Sequence, residues 1–139
     1  MPKALLLAAA LLLAAIAAAR AEAPGPGQSR ITVLFDQVLP TVPGKSLKGV
    51  LVEYGPGAAT PAHRHAASAF ITATVLDGAI RSAVNQAPAR VYRKGESFTE
   101  NPGDHHAVSA NASDSAPATL LAVFVVDTGE TALTTLDPG

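Results

Sequence analysis

From Arg30 onward the sequence advances in short runs of apolar and β-branched residues, cut off by glycine or proline at roughly the 8–12 residue spacing of sandwiches and barrels. The runs predict strands over Ile31–Val38, Val50–Tyr54, Ala69–Leu76, Ala79–Asn85, Arg90–Arg93, His106–Ala110 and Thr119–Val126. Between them stand Pro40, Pro43-Gly44, Gly55-Pro56-Gly57, Asp77-Gly78, Lys94-Gly95 and Pro102-Gly103, the residues that turn a chain. Asp77-Gly78 is the strongest short-range hairpin signal among them. No stretch of this region holds the apolar period near 3.6 residues that a surface helix needs. The expected fold class is all-β.

The first residues read differently. Lys3 is followed by an unbroken apolar run from Ala4 to Ala19, then Arg20, Ala21 and a stretch rich in proline and glycine. A charged start, an apolar middle and the small residues Ala19 and Ala21 flanking Arg20 match a secretory signal peptide cleaved before Glu22. A membrane anchor would need roughly 20 apolar residues to cross the hydrocarbon core, and this alanine-rich run is shorter. The expected organisation is a signal peptide over residues 1–21, a flexible lead over 22–29 and one domain over 30–139. The expected location is the periplasm or the medium, with no stable membrane insertion once the signal is removed.

The mature chain carries 8 basic against 11 acidic residues, a net charge of −3. Such a balance gives no electrostatic reason for nucleic acid as a partner. There is no cysteine. Stability in an oxidising compartment must then come from the core or from a bound ion rather than from disulfides. Asn111-Ala112-Ser113 matches a glycosylation acceptor, but in a chain of bacterial character a turn is the better reading.

All four histidines fall in two clusters, His63 with His65 and His105 with His106. Side chains alternate along a strand, so His63 and His65 point to one side and can approach one ion together. A third imidazole must come from His105 or His106, and in an extended segment only one of that pair can face the same centre. Neutral imidazoles with open coordination positions suit zinc, copper, iron or nickel. The competing readings are surface histidines, or a core pair bonded to backbone.

In this arrangement the sequence resembles the cupin family. Its first motif runs glycine, five residues, His-x-His, three or four residues, glutamate, six residues and glycine. Gly57, His63, Arg64, His65 and Gly78 match it. The second motif is matched in spacing by Gly95, Pro102, Gly103 and His106, with Asn101 at its proline position and Asn111 one place beyond its asparagine. The resemblance implies a double-stranded β-helix, or jelly-roll barrel, with His106 as the third ligand and His105 turned outward or packed beside it. The motif's glutamate would fall at Ala69 or Phe70 counted from His65, or at Ile71 counted back from Gly78, and none of these is acidic. What remains is similar to the three-histidine sites of cupin-like thiol dioxygenases, which hold ferrous iron; it is equally what a cupin that has lost its metal would keep. Glu100 and Glu53 are the nearby carboxylates to consider as substitute ligands or partners of the imidazoles, with a solvated charge the preferred reading for each. Phe70, Tyr92 and Phe98 are candidates to line an apolar pocket around the ion, with core packing the preferred reading for any one of them.

The function that the resemblance implies is binding of a divalent metal (iron, manganese, nickel, copper or zinc) at His63, His65 and His106. A small-molecule ligand or substrate would bind beside it, in an enzyme similar to the quercetin dioxygenase-like cupins. The alternatives are a non-catalytic periplasmic module that binds or senses a metal or small ligand, and a structural cupin with an empty barrel. No nucleophile, general base or acid pair stands out for hydrolase or isomerase chemistry, so no catalytic residue is assigned. Edge-strand pairing into a homodimer is common in the family, and the lead before Arg30 is a candidate part of such an interface, with the oligomeric state left open.

Overall fold

The structure, a computed structural model, describes residues 21–138, so the expected signal peptide lies, apart from Ala21, outside the described residues. The described chain forms eleven strands. They are β1 (Ser29–Val38), β2 (Lys45–Tyr54), β3 (Ala59–Thr60), β4 (His63–His65), β5 (Phe70–Asp77), β6 (Ala79–Val84), β7 (Arg90–Arg93), β8 (Ser97–Glu100), β9 (His105–Asn111), β10 (Ala118–Asp127) and β11 (Thr134–Leu136). One sheet runs in the order β1-β2-β10-β5-β8 and the other β11-β4-β9-β6-β7, with β3 also paired to β9. All pairs are antiparallel. The all-β double-stranded β-helix read from the sequence is the fold observed.

Alternation builds the core. Along β10 every second residue (Ala118, Leu120, Ala122, Phe124, Val126) is buried. They meet Tyr54 and Val50 of β2, Ile71, Ala73 and Val75 of β5, Ile80 of β6 and Phe98 of β8. The core is modest in volume because alanine holds several of these positions, and it leaves a hollow described below.

Asp77-Gly78 turns out to join strands of different sheets. β5 pairs with β10 and β8, whereas β6 pairs with β7 and β9. Gly78, at φ +69°, is the corner where the chain crosses between layers, and an added Cβ there would lie 2.6 Å from the Pro117 carbonyl oxygen. The local signal for a sharp reversal was real; what it cannot encode is which strand the chain meets next. β2 also begins at Lys45 rather than Val50, because its first inward residues are polar. Ser46 bonds the Thr128 hydroxyl at 2.9 Å, and Lys48 donates to the Glu130 carbonyl at 2.6 Å beside Asp36 at 3.0 Å.

The lead is tied down over its second half. Gly27 N–H donates to the Pro56 carbonyl and Gly55 N–H to the Gln28 carbonyl, both at 2.8 Å. Gly55 permits this approach, since a Cβ there would lie 1.9 Å from the Gly25 carbonyl oxygen. The edge strand β1 slips register between Val33 and Phe35, a bulge that blunts an otherwise open ladder.

Candidate metal centre

Pro61 opens the site. It favours an extended conformation before it and ends β3, and the chain resumes as the three-residue strand His63-Arg64-His65. β4 lies between β9 and β11, with His63 directly across from His106 and Arg64 across from His105. Opposed residues share a face. His63 and His106 therefore both point inward, 3% exposed each. His65, two residues from His63, joins them. His105 faces out, where its Nε2 lies 2.7 Å from Asp137 Oδ2, and Arg64 donates outward to the Gly103 carbonyl at 2.8 Å.

The start of β9 is fixed by a side-chain network. Asp104 accepts from the Asn101 N–H at 2.7 Å and from the Asn85 side chain at 2.8 Å, and Asn85 in turn accepts from the His105 N–H at 2.9 Å. The Asn85 hydrogen bond, with those from Asn101, holds the Asp104 carboxyl below its ordinary pKa.

The imidazoles come together. One ring nitrogen from each of His63, His65 and His106 lies within 4.8 Å of the others. The outward nitrogens are occupied: His63 Nδ1 donates to the Pro61 carbonyl at 2.7 Å and His65 Nδ1 to the Leu133 carbonyl at 3.0 Å. A carbonyl only accepts, so in the neutral rings Nε2 carries its lone pair into the site. Burial, the largest influence on both groups, holds His63 and His65 below the ordinary histidine pKa and so favours that neutral form. His106 is held from behind by Ser82, whose Oγ is 2.9 Å from Nε2, leaving Nδ1 on the side of Glu100.

Glu100 departs from the expectation of a solvated charge. It is 3% exposed; Oε1 lies 3.1 Å from His106 Nδ1 and Oε2 lies 3.5 Å from His65 Nε2. Oε2 is buried without a hydrogen-bond partner. Glu53 does behave as a surface charge: it pairs with Arg30 at 2.7 Å, and that hydrogen bond lowers its pKa. Three imidazoles, each tethered from behind, and an orphaned buried carboxyl oxygen form a donor set that fits a divalent ion.

A cavity of about 150 Å³ opens beside the cluster. Val50, Val52, Ala73, Leu120, Ala122 and Phe124 form its far wall, and among the described residues no lysine or arginine lines it. Ile31 and Leu136, 61% and 55% exposed, flank its open side. At one end Tyr54 Oη meets the hydroxyls of Thr60 at 2.7 Å and Ser109 at 2.8 Å. None of the three aromatics considered as pocket lining borders this cavity. Phe70 is 42% exposed on the outer face, and Tyr92 and Phe98 stack on each other, 4.9 Å between centroids, with Phe98 edge-on behind His106. Val50 and Val52 of β2 and Leu120, Ala122 and Phe124 of β10 were not read from the sequence as cavity walls, because apolar residues also occupy the positions between them. Asn111 is also no ligand: its amide donates to the Gly55 and Ala116 carbonyls, and its oxygen accepts from the Ser113 N–H.

Two antiparallel sheets enclosing a histidine-lined cavity define a double-stranded β-helix with a candidate metal centre. The family model described as the cupin domain matches residues 50–124, more than half of the chain, and the chain belongs to the cupin family. No curated protein matches the sequence significantly. Among solved structures, the chain is similar to an uncharacterized conserved protein with a double-stranded β-helix domain from Klebsiella pneumoniae. The identity is 18%, covering 84% of this chain and 90% of that one, with a TM-score of 0.64. A recombinant oxalate oxidase in complex with glycolate is 20% identical, covering 83% of this chain and 59% of that one, with a TM-score of 0.62. The DMSP lyase DddQ from Ruegeria pomeroyi is 18% identical, covering 78% and 51%, with a TM-score of 0.61. At these identities the likeness is one of fold.

Proposed function

We propose that this cupin is an exported protein that holds one divalent metal through His63, His65 and His106 and binds a small molecule in the adjoining cavity, as a metal-dependent oxidoreductase similar to the dioxygenase-like cupins. The observation that carries the reading is the set of three imidazoles with their inward nitrogens within 4.8 Å and their outward nitrogens tied to Pro61, Leu133 and Ser82. Ordinary packing of histidines does not require all three to be turned the same way.

A bound ion would supply Lewis acidity or redox chemistry at the cavity wall. The chain's own residues would orient and exclude. The apolar wall keeps water from the far side of a ligand, and an apolar cavity of about 150 Å³ accommodates a molecule of roughly benzene's size. The Tyr54, Thr60 and Ser109 hydroxyls offer a polar anchor at one end. Without a lysine or arginine in the wall, a dicarboxylate has no protein cation to pair with.

Export is supported by Lys3, the apolar run Ala4–Ala19 and the small residues before Glu22. A second reading, a binding or sensing module without turnover, is favoured by one observation: beyond the cluster and Glu100, the cavity wall offers only hydroxyl groups as polar side chains. Elemental analysis of untagged protein from the periplasm, beside a His63→Ala/His65→Ala variant, tests the metal reading. Near-stoichiometric iron, manganese, nickel, copper or zinc, lost in the variant, is expected; protein without metal in both samples would sink it. Oxygen uptake by the loaded protein with small aromatic or enolic candidates then separates turnover from binding alone.

A further inference from the structure

We propose that Glu100 is the carboxylate ligand of the metal centre, supplied from β8 to replace the one missing from β5. The inference rests on the three-histidine reading above and extends it. Of the three positions where the first motif's glutamate would fall, Phe70 points to solvent, while Ala69 and Ile71 are buried but apolar. Ile71 is the register partner of Glu100 across the β5–β8 ladder. Directly opposed residues project from the same face with Cβ atoms about 5 Å apart. A carboxyl group moved from 71 to 100 therefore shifts by one strand while keeping its height along the barrel and its inward direction.

The side chain is placed as a ligand would be. It is 3% exposed, each oxygen lies beside the ring of a different candidate ligand, and Oε2 has no hydrogen-bond partner among the described residues. A buried acceptor left unpaired keeps its full desolvation cost, so a group in this position needs a reason to be there. No lysine or arginine lines the cavity to offer one, and the other nearby acid, Glu53, is engaged by Arg30 on the outer surface. An ion shared with the histidines satisfies Oε2. The added oxygen donor makes the site harder than three imidazoles alone, which moves its preference from copper and zinc toward manganese and iron. It also removes one unit of positive charge from the loaded centre, weakening its hold on dianionic ligands.

The test uses the whole mature chain and Mn(II) alone, with affinity read from the loss of the free-ion EPR signal and the bound spectrum recorded separately. Wild type, Glu100→Gln, Ile71→Glu/Glu100→Ile and His63→Ala/His65→Ala are compared, each checked for fold by circular dichroism. Glu100→Gln is expected to weaken Mn(II) binding by more than the ~10–100-fold that follows loss of an outer partner and to change the bound spectrum. The double exchange is expected to regain at least about tenfold of that loss. Glu100→Gln binding like wild type, while the histidine variant does not bind, would overturn the proposal and leave the three-histidine site standing. If the wild type itself takes up neither Mn(II) nor any other divalent ion, both readings fall. Should Glu100→Gln not fold, the double exchange decides: binding near wild type supports the proposal, and a folded variant without affinity overturns the exchange between strands.

Discussion

His105 and His106 are neighbours with opposite fates, and the difference is one step of strand alternation. His106 faces the cluster and His105 faces Asp137. His106→Ala should therefore lose most metal on dialysis, while His105→Ala should retain it; equal losses by elemental analysis would contradict the assignment. Ser82 touches no ion but fixes which nitrogen of His106 looks inward. Ser82→Ala should weaken metal binding by about 10–100-fold without unfolding the chain, measured by chelator competition. The histidines were legible in the sequence because alternation is indifferent to context. Glu100 was named as a candidate but read as a solvated charge, because a motif counts along the chain whereas this carboxyl arrives across a ladder, on a four-residue strand with a single apolar residue, Phe98, to announce it.

Strands decide the size of the hollow. Ala73 of β5 and Ala122 of β10 are register partners, and Ala122 also faces Val50 of β2, so the far wall is built where side chains are small. Ala122→Leu should fill the cavity and abolish binding of small aromatic probes in a fluorescence displacement assay, with metal content unchanged. Loss of metal in that variant would mean that wall and cluster are not separable. Seven of the strands were plain from sequence, but the short strands β3, β4, β8 and β11 were not among them, and Asp77-Gly78 was misread, since pairing partners are set by packing between layers. Gly78→Ala should destabilise the fold by about 1–3 kcal/mol in urea unfolding, the range for a non-glycine residue forced to positive φ, and more if the Pro117 carbonyl cannot yield. The polar start of β2 was hidden for a related reason: Lys48 and Ser46 are inward residues whose partners, Glu130 and Thr128, lie 82 residues away.

For the molecule as a whole, an ion that binds the native chain and not the unfolded one adds stability in proportion to its occupancy. At a free concentration 100 times its dissociation constant the gain is about 2.7 kcal/mol. Stripping with a chelator should lower Tm by several degrees and readdition should restore it; a Tm indifferent to metal would place the ion outside this site. The barrel itself does not wait for it, because the apolar core spans both sheets. One contact ties the centre to a distant part of the chain. The carbonyl that orients His65 belongs to Leu133, 68 residues further on and just before the final strand. The fully oriented set of imidazoles therefore needs that last segment in place, so whatever frees β11 from β4 also loosens the hold on His65.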